Sequence, residues 1–240
     1  MGMAFDRIKS GAEDISLTGG ADSAIAFHPF ADFEGCGMLS MRNDAPARAS
    51  RPFDRNRDGG LASEGAGICL FEELRHARAR GATIYAEVVG FGSALDPAGG
   101  EHGSGFVASM GEALENAAAL SRRIDYVNAH GPSDKEMDRV ETEAIKTTFG
   151  NHAKSLMISS IKGVTGNPLA AGGALQAIAS ALTLHQSTIH PTANYEFPDP
   201  KCDLDYVPNK ARRIAIEQVV VNSHGVGGSN CSLVLRRFRA

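Results

Sequence analysis

From Ile124 to the C-terminus, short apolar runs alternate with amphipathic ones, and each apolar run ends in a polar loop that carries glycine. "IDYVNA" (124–129) reads as a strand, 134–149 as a helix, "LMISS" (156–160) as a strand and 169–185 as a helix. "EQVVVNSHGVGGSNCSLVLRRF" closes the chain as two apolar strands joined by a glycine-rich loop, the pattern of an antiparallel pair. Short β-prone runs separated by helix-length segments fit few architectures other than α/β layers. The upstream half has the same order. "GMAFDRIKSG" has helical spacing and "DISLTGG" is a short strand; "EGAGICLFEELRHARARGATIYAEVVGFGSALD" reads as strand, helix, strand, with Glu72 and Glu73 in the first helical turn. An alanine-rich helix is expected over 104–122.

Composition excludes several classes. A chain of 240 residues with 42% apolar content can bury a core, and its net charge of −4 leaves no basic footprint for nucleic acid or an anionic membrane surface. No apolar stretch reaches the length of a membrane span. The charged start "MGMAFDRIKSGAED" is not a signal peptide, so the cytoplasm is the expected location. Cys36, Cys69, Cys202 and Cys231 lie far apart without CxxC spacing, so neither a metal site nor a disulfide framework is expected.

Three loops concentrate the chemistry: "NAHGPSD", "SSIKGVTGNPLAAGG" and "NSHGVGGSN". At the carboxyl ends of strands in an open α/β sheet they would meet in one crevice, placing His130, Lys162, Asn167 and His224 together, with the side chains of His130, Lys162 and Asn167 within about 10 Å of one another. Taken singly, each has a plainer reading: a hydrogen-bonded structural histidine, a solvated surface lysine, a tight hairpin shaped by glycines. Arg51, Asp54, Arg57 and Asp58 alternate in sign and read as a salt-bridge network, and Glu64 reads as structural. They fall beside two zones rich in Pro, Asp, Asn and Arg, "RNDAPARASRPFDRNRDGG" and "HPTANYEFPDPKCDLDYVPNKARR", which read as long ordered loops over the core.

With these motifs in this order, the chain resembles the elongating β-ketoacyl-acyl-carrier-protein synthases, condensing enzymes with the thiolase fold. The blocks that carry the resemblance are "RASRPFDRNRDGGLASEGAGICLFEELRHARARGATIYAEVVGFG", "IDYVNAHG", "SSIKGVTGN", "PTANYEFPDPKCDLDYVPN" and "NSHGVGGSN". The resemblance implies a layered αβαβα fold with an incomplete first half (1–71) and a complete second half (72–240). It implies decarboxylative condensation of an acyl thioester with malonyl-acyl carrier protein, in fatty acid or polyketide synthesis. No cofactor of its own is implied, since phosphopantetheine arrives on the carrier-protein substrate; the implied partners are acyl carrier protein and a second ketosynthase chain in a homodimer or heterodimer.

By the same resemblance His130, Lys162 and Asn167 are catalytic, and Pro132, Asp134, His224, Gly225, Val226 and Gly227 line the substrate path. Several positions depart from the family pattern. Asn167 stands where a second histidine is usual, and Gln176 where a glutamate completes the lysine's charge network. Pro132 and Asp134 replace two threonines. His224 and Val226 replace two phenylalanines, one of which gates the acyl pocket, and "SALDPAGGEHGSG" is shorter than the family's loop. An amide can still donate to a developing oxyanion, so Asn167 is compatible with the chemistry. The nucleophilic cysteine of the family belongs just before Met1, and none of the four cysteines present has a helix N-terminus to activate it. The expectation is a chain that does not condense acyl groups alone, or a non-catalytic partner of the chain-length-factor type, or an inactive remnant.

Overall fold

The computed structural model describes residues 1–98, 103–118 and 123–239. Helix α1 (Gly2–Lys9) leads into β1 (Ile15–Ser23), which pairs antiparallel with β2 (Glu64–Glu72) in a sheet of two strands. Helix α2 (Phe27–Gly35) and a long loop connect the two. After α3 (Leu74–Ala79) come β3 (Glu87–Leu95), α4 (Ser104–Asn116), β4 (Tyr126–Asn128), α5 (Met137–Phe149) and β5 (Met157–Ser159). The one-turn α6 (Lys162–Thr165) precedes α7 (Gly172–Gln186), the small pair β6 (Thr188–Ile189) and β7 (Arg212–Arg213), and the hairpin of β8 (Gln218–Gly225) and β9 (Ser229–Arg236).

The larger sheet has the order β3-β9-β8-β4-β5. Strands β8, β4 and β5 run parallel, so their carboxyl ends share one edge; β9 runs antiparallel to β8 and β3. Strands of only three residues suffice at β4 and β5 because both faces are covered, with Tyr126, Val127, Ile158 and Val220 fully buried. Helices α4 and α5 cover one face, while α7 packs on β8 from the other side and also touches β2. The layers therefore run small sheet, helix, large sheet, helix. Gly67 permits the close approach of β2 to α7, since a Cβ there would lie 3.0 Å from Ile178 Cδ1 and 3.2 Å from Ala174 Cβ. No layer of the described residues covers the other face of the small sheet, and Leu17, Ile68 and Leu70 stand 75%, 62% and 49% exposed on it.

Element ends differ from the sequence reading for local reasons. The helix expected from Asp134 starts at Met137, because the Asp134 carboxylate accepts from the peptide N–H groups of Glu136 (3.0 Å) and Met137 (2.7 Å) and so caps it from outside. Glu73 likewise caps α3 by accepting from His76 N–H at 2.9 Å, while Glu72 ends β2 and pairs with Arg80. A turn of 3-10 helix over Leu169–Ala171 precedes α7. The alanine-rich helix stops at Asn116; the rest of its expected span, 119–122, and part of the loop "SALDPAGGEHGSG", 99–102, lie outside the described residues.

The two long loops are stitched to each other beneath the site. Asp54 accepts from the N–H groups of Glu196 (2.7 Å) and Phe197 (2.6 Å) and pairs with Arg51 at 3.1 Å. Arg57, buried, reaches Asp199 at 2.9 Å and Asp138 at 3.3 Å. Arg51, Asp54 and Arg57 thus form the expected network, whereas Asp58 stands apart and pairs with Ser40 and Arg42 nearer the surface. Glu64 accepts from Ser23 across the small sheet.

Candidate active site

His130 lies two residues past β4 and is 7% exposed. Its peptide N–H and that of Gly131 both donate to the carboxylate of Glu141 on α5, each at 2.9 Å. Gly131 has φ +36°, and a Cβ there would come within 2.8 Å of the Phe53 ring and of Ser160 Cβ, so the turn admits only glycine. With the backbone held, the imidazole is oriented by two donors: the peptide N–H of His224 and the Nζ of Lys162, each 3.2 Å from Nδ1. Donors facing Nδ1 leave the ring proton on Nε2. Burial first, and the Lys162 cation second, hold this imidazole well below the usual histidine range, so the ring is neutral at neutral pH.

Lys162 is 1% exposed, which overturns the reading of a solvated surface lysine. Its three ammonium protons meet three acceptors: the carbonyl of His130, Nδ1 of His130 at 3.2 Å, and Oε1 of Gln176 at 3.3 Å. Burial pulls the amine down to about 8, opposed by the carboxylates of Glu141 and Asp138. Gln176 suits this place because its other end donates to the carbonyls of Ala129 (2.6 Å) and Asn222 (2.9 Å), which a carboxylate could not do. The neutral residue is therefore fully engaged, and the compensating charge comes from Glu141, which Asn222 also bonds at 3.1 Å. Glu141 escaped the sequence reading because α5 turns Asp138, Glu141 and Thr142 inward, a polar stripe that in a helical pattern reads as a solvated face.

A cavity of about 700 Å³ opens in front of His130. Pro132, Asp134, Asn167, Ser223, His224, Gly225 and Val226 contribute to its wall, so the three loops do converge; Lys162 lies behind His130 and not on the wall, and Gly227 is an exposed residue of the hairpin turn. Asn167 is anchored by its backbone, its N–H donating to Leu61 O at 2.7 Å and its carbonyl accepting from Ser63 N–H at 3.2 Å. Its amide has no hydrogen-bond partner among the described residues. A methyl group at Gly172 would lie 3.8 Å from both Asn167 Oδ1 and Lys162 Cε, so the two side chains flank one gap. His224 stacks on the buried ring of Phe106, with centroids 5.5 Å apart, and its own ring centroid is 5.7 Å from that of His130. Cys231 also reaches the cavity, from the middle of a strand; Cys69 is in β2, Cys202 in a turn, and Cys36 at the C-terminal end of α2. Among the described residues no group of three His, Cys, Asp or Glu is placed to hold a metal ion, and no helix is long and apolar enough to cross a membrane.

A neutral N–H donor and an unengaged amide thus face one small-molecule cavity, with a buried cation behind the histidine. The model of the "Beta-ketoacyl synthase, N-terminal domain" matches residues 1–77, and that of the "Beta-ketoacyl synthase, C-terminal domain" matches residues 85–196. The chain belongs to the β-ketoacyl synthase family. The 3-oxoacyl-[acyl-carrier-protein] synthase 2 of Coxiella burnetii is 44% identical over 241 residues, which are 99% of this chain and 58% of the relative. A ketosynthase solved with its type II polyketide acyl-carrier protein superimposes with a TM-score of 0.95 at 34% identity, over 99% of this chain and 60% of that one. The ishigamide ketosynthase/chain length factor gives 0.92 at 37% identity, over 99% and 57%. This β-ketoacyl synthase chain has the thiolase fold of those neighbours and spans somewhat more than half the length of the relatives it matches.

Proposed function

We propose that this chain carries the decarboxylating half of a β-ketoacyl-acyl-carrier-protein synthase site, with His130, Asn167 and Lys162 as its working groups. The observation that carries the reading is the fixed tautomer of His130. When a malonyl thioester loses carbon dioxide, the electron pair of the breaking C–C bond forms an enolate whose charge gathers on the thioester oxygen. A neutral Nε2–H and the Asn167 amide can donate to that oxygen without any proton changing hands, and such preorganised donors typically supply about 3–4 kcal/mol each. Lys162 acts as a positioning residue, since its protons hold the His130 carbonyl and Nδ1 together. The enolate carbon would then attack an acyl thioester carried on a cysteine supplied by the rest of a complete synthase, acyl carrier protein delivering the malonyl group.

In this reading residues 1–71 belong to the N-terminal half of the fold and residues 72–240 form the C-terminal half. Release of labelled carbon dioxide from malonyl-acyl carrier protein tests the proposal. The chain should release it faster than His130→Ala and Asn167→Ala, and equal rates in all three would refute the assignment. Condensation needs the nucleophile as well, so no stable acyl-enzyme should form on any of the four cysteines.

A second reading is a non-catalytic partner of the chain-length-factor type, which a neighbouring ketosynthase/chain length factor structure at 37% identity supports. Under it the chain would release no carbon dioxide but would co-purify with a catalytic ketosynthase.

A further inference from the structure

A second polar cluster, none of whose members is on the cavity wall, centres on His190. His190 follows directly on β6, and its imidazole is bonded to both of the parallel strands that end at the site. On β4, Tyr126 Oη lies 2.8 Å from His190 Nε2, and Asn128 Nδ2 lies 3.3 Å from the same nitrogen. On β5, Ser159 Oγ lies 3.1 Å from His190 Nδ1 and 2.7 Å from Tyr126 Oη. Tyr126, Asn128 and Ser159 are fully buried.

The cluster has one consistent arrangement of protons. Asn128 Nδ2 also faces the carbonyl of Gln176 at 3.0 Å, so it is a donor, and the Nε2 beside it is an acceptor. The ring proton then sits on Nδ1, which a second carbonyl, that of Pro191, faces at 3.4 Å. Nδ1–H donates to Ser159 Oγ, Ser159 donates to Tyr126 Oη, and Tyr126 donates to Nε2, a closed ring in which each group donates once and accepts once. Burial, opposed by the bond to Pro191, takes this imidazole down to about 4, so it is neutral at neutral pH and keeps its lone pair.

The ring joins the two strands close to the groups that the site depends on. Asn128 and Ser159 are register partners; His130 lies two residues past the first and Lys162 three past the second. Ser160, next to Ser159, donates to Gly131 O at 2.8 Å and accepts from the peptide N–H of Lys162 at 3.2 Å. Asn128 also donates to Ser180 Oγ at 2.9 Å on α7, the helix whose Gln176 accepts from Lys162. A slip between β4 and β5 would therefore change the 3.2 Å separation of Lys162 Nζ and His130 Nδ1, and strands of only three residues share few backbone bonds to resist one.

We propose that His190 is a positioning residue of the site: by bonding Tyr126 and Asn128 on β4 and Ser159 on β5 at once, it locks the two strands in the register that sets Lys162 against His130. The role rests on the decarboxylation reading above for its effect on turnover, but its effect on geometry can be read without turnover.

Nitrogen-15 spectra of His130, together with carbon dioxide release from malonyl-acyl carrier protein, test it in the parent chain, Tyr126→Phe, His190→Leu and His190→Gln. Tyr126→Phe removes a single buried oxygen, opening the ring without leaving a cavity, and keeps the test readable should His190→Leu unfold. In both of these variants the His130 Nδ1 resonance should shift as the Lys162 donor withdraws. Their kcat should fall roughly 10–100-fold at unchanged KM, the scale on which a displacement of up to about 1 Å acts. His190→Gln, whose amide offers one acceptor and one donor, should restore much of both readouts. An unmoved Nδ1 resonance in Tyr126→Phe, or an effect confined to KM, would overturn the role of His190 and leave the decarboxylation reading standing. A parent chain that releases no carbon dioxide would overturn the decarboxylation reading, and the resonance in Tyr126→Phe would then decide for or against His190 by itself.

Discussion

The peptide N–H of His224 donates to Nδ1 of His130 across 3.2 Å, joining two loops that lie 94 residues apart in sequence. Because β8 and β4 are parallel neighbours, the hairpin's amide arrives at the same edge of the sheet as the imidazole. A strand register, together with the Lys162 ammonium at the same distance, therefore sets the proton of the central histidine.

It follows that His130 stays neutral with the proton on Nε2 well below the pH at which an ordinary histidine charges. Its folded value is lowered, so as pH falls through about 6.5 the unfolded chain takes up a proton that the native ring refuses, and stability declines. Nitrogen-15 spectra of the imidazole should show the Nε2–H form down to pH 5.5. An imidazolium signature at pH 6 would contradict the assignment.

Lys162 gives a second titration with its own window. Its amine stands at about 8 when folded against an ordinary 10.5, so between those values the unfolded state binds more protons and stability rises with pH. The gain across the window is roughly 3 kcal/mol for this one group. Urea denaturation at pH 8 and pH 10 should show the rise in the parent relative to Lys162→Met, and identical slopes in the two would place the amine in contact with water.

Asp134 was expected on the substrate path and does reach the cavity, yet its carboxylate is occupied by the N–H groups of Glu136 and Met137. Asp134→Ala should cost about 1 kcal/mol in chemical denaturation, the usual value of a lost cap, and Asp134→Asn much less. Thioester affinity should be unchanged in both, and a large loss of affinity in Asp134→Asn would restore the carboxylate to a substrate role.

The convergence of the three loops was legible because it follows from topology: apolar runs at 124–129, 156–160 and 218–222 can only be interior strands, and parallel neighbours put their loops together. What lay hidden was the layer beneath. The partners of Lys162 are 32 and 14 residues away, and lysine is ordinarily a surface residue, so nothing local marks it as buried. Glu141 and Asp138 sit in the first turns of a helix whose inward face is polar there, before Ala144, Ile145 and Phe149 continue it as an ordinary apolar one. Gln176 looked like a weakened charge partner until the two carbonyls it serves came into view; hydrogen-bond complementarity of that kind depends on backbone positions that no spacing rule encodes.

The small sheet leads to the last prediction. A sheet of two strands is marginal in water, and this one is supported on one face by α7 while the other presents Leu17 opposite Leu70, with Ile68 beside them. Covering what each of these side chains leaves exposed would stabilise the chain by about 1–2 kcal/mol, enough together to favour association over an exposed apolar surface. β1 also pairs only with β2 among the described strands, which leaves its other edge open to a further strand. The chain should therefore sediment as an oligomer, or as a complex with a second ketosynthase chain, across a micromolar concentration series. Replacing Leu17→Glu together with Leu70→Lys should shift it to monomer, because two opposed charges replace the apolar pair while the face against α7 is untouched. A cooperatively folding monomer in the parent at every concentration would show that this face needs no cover.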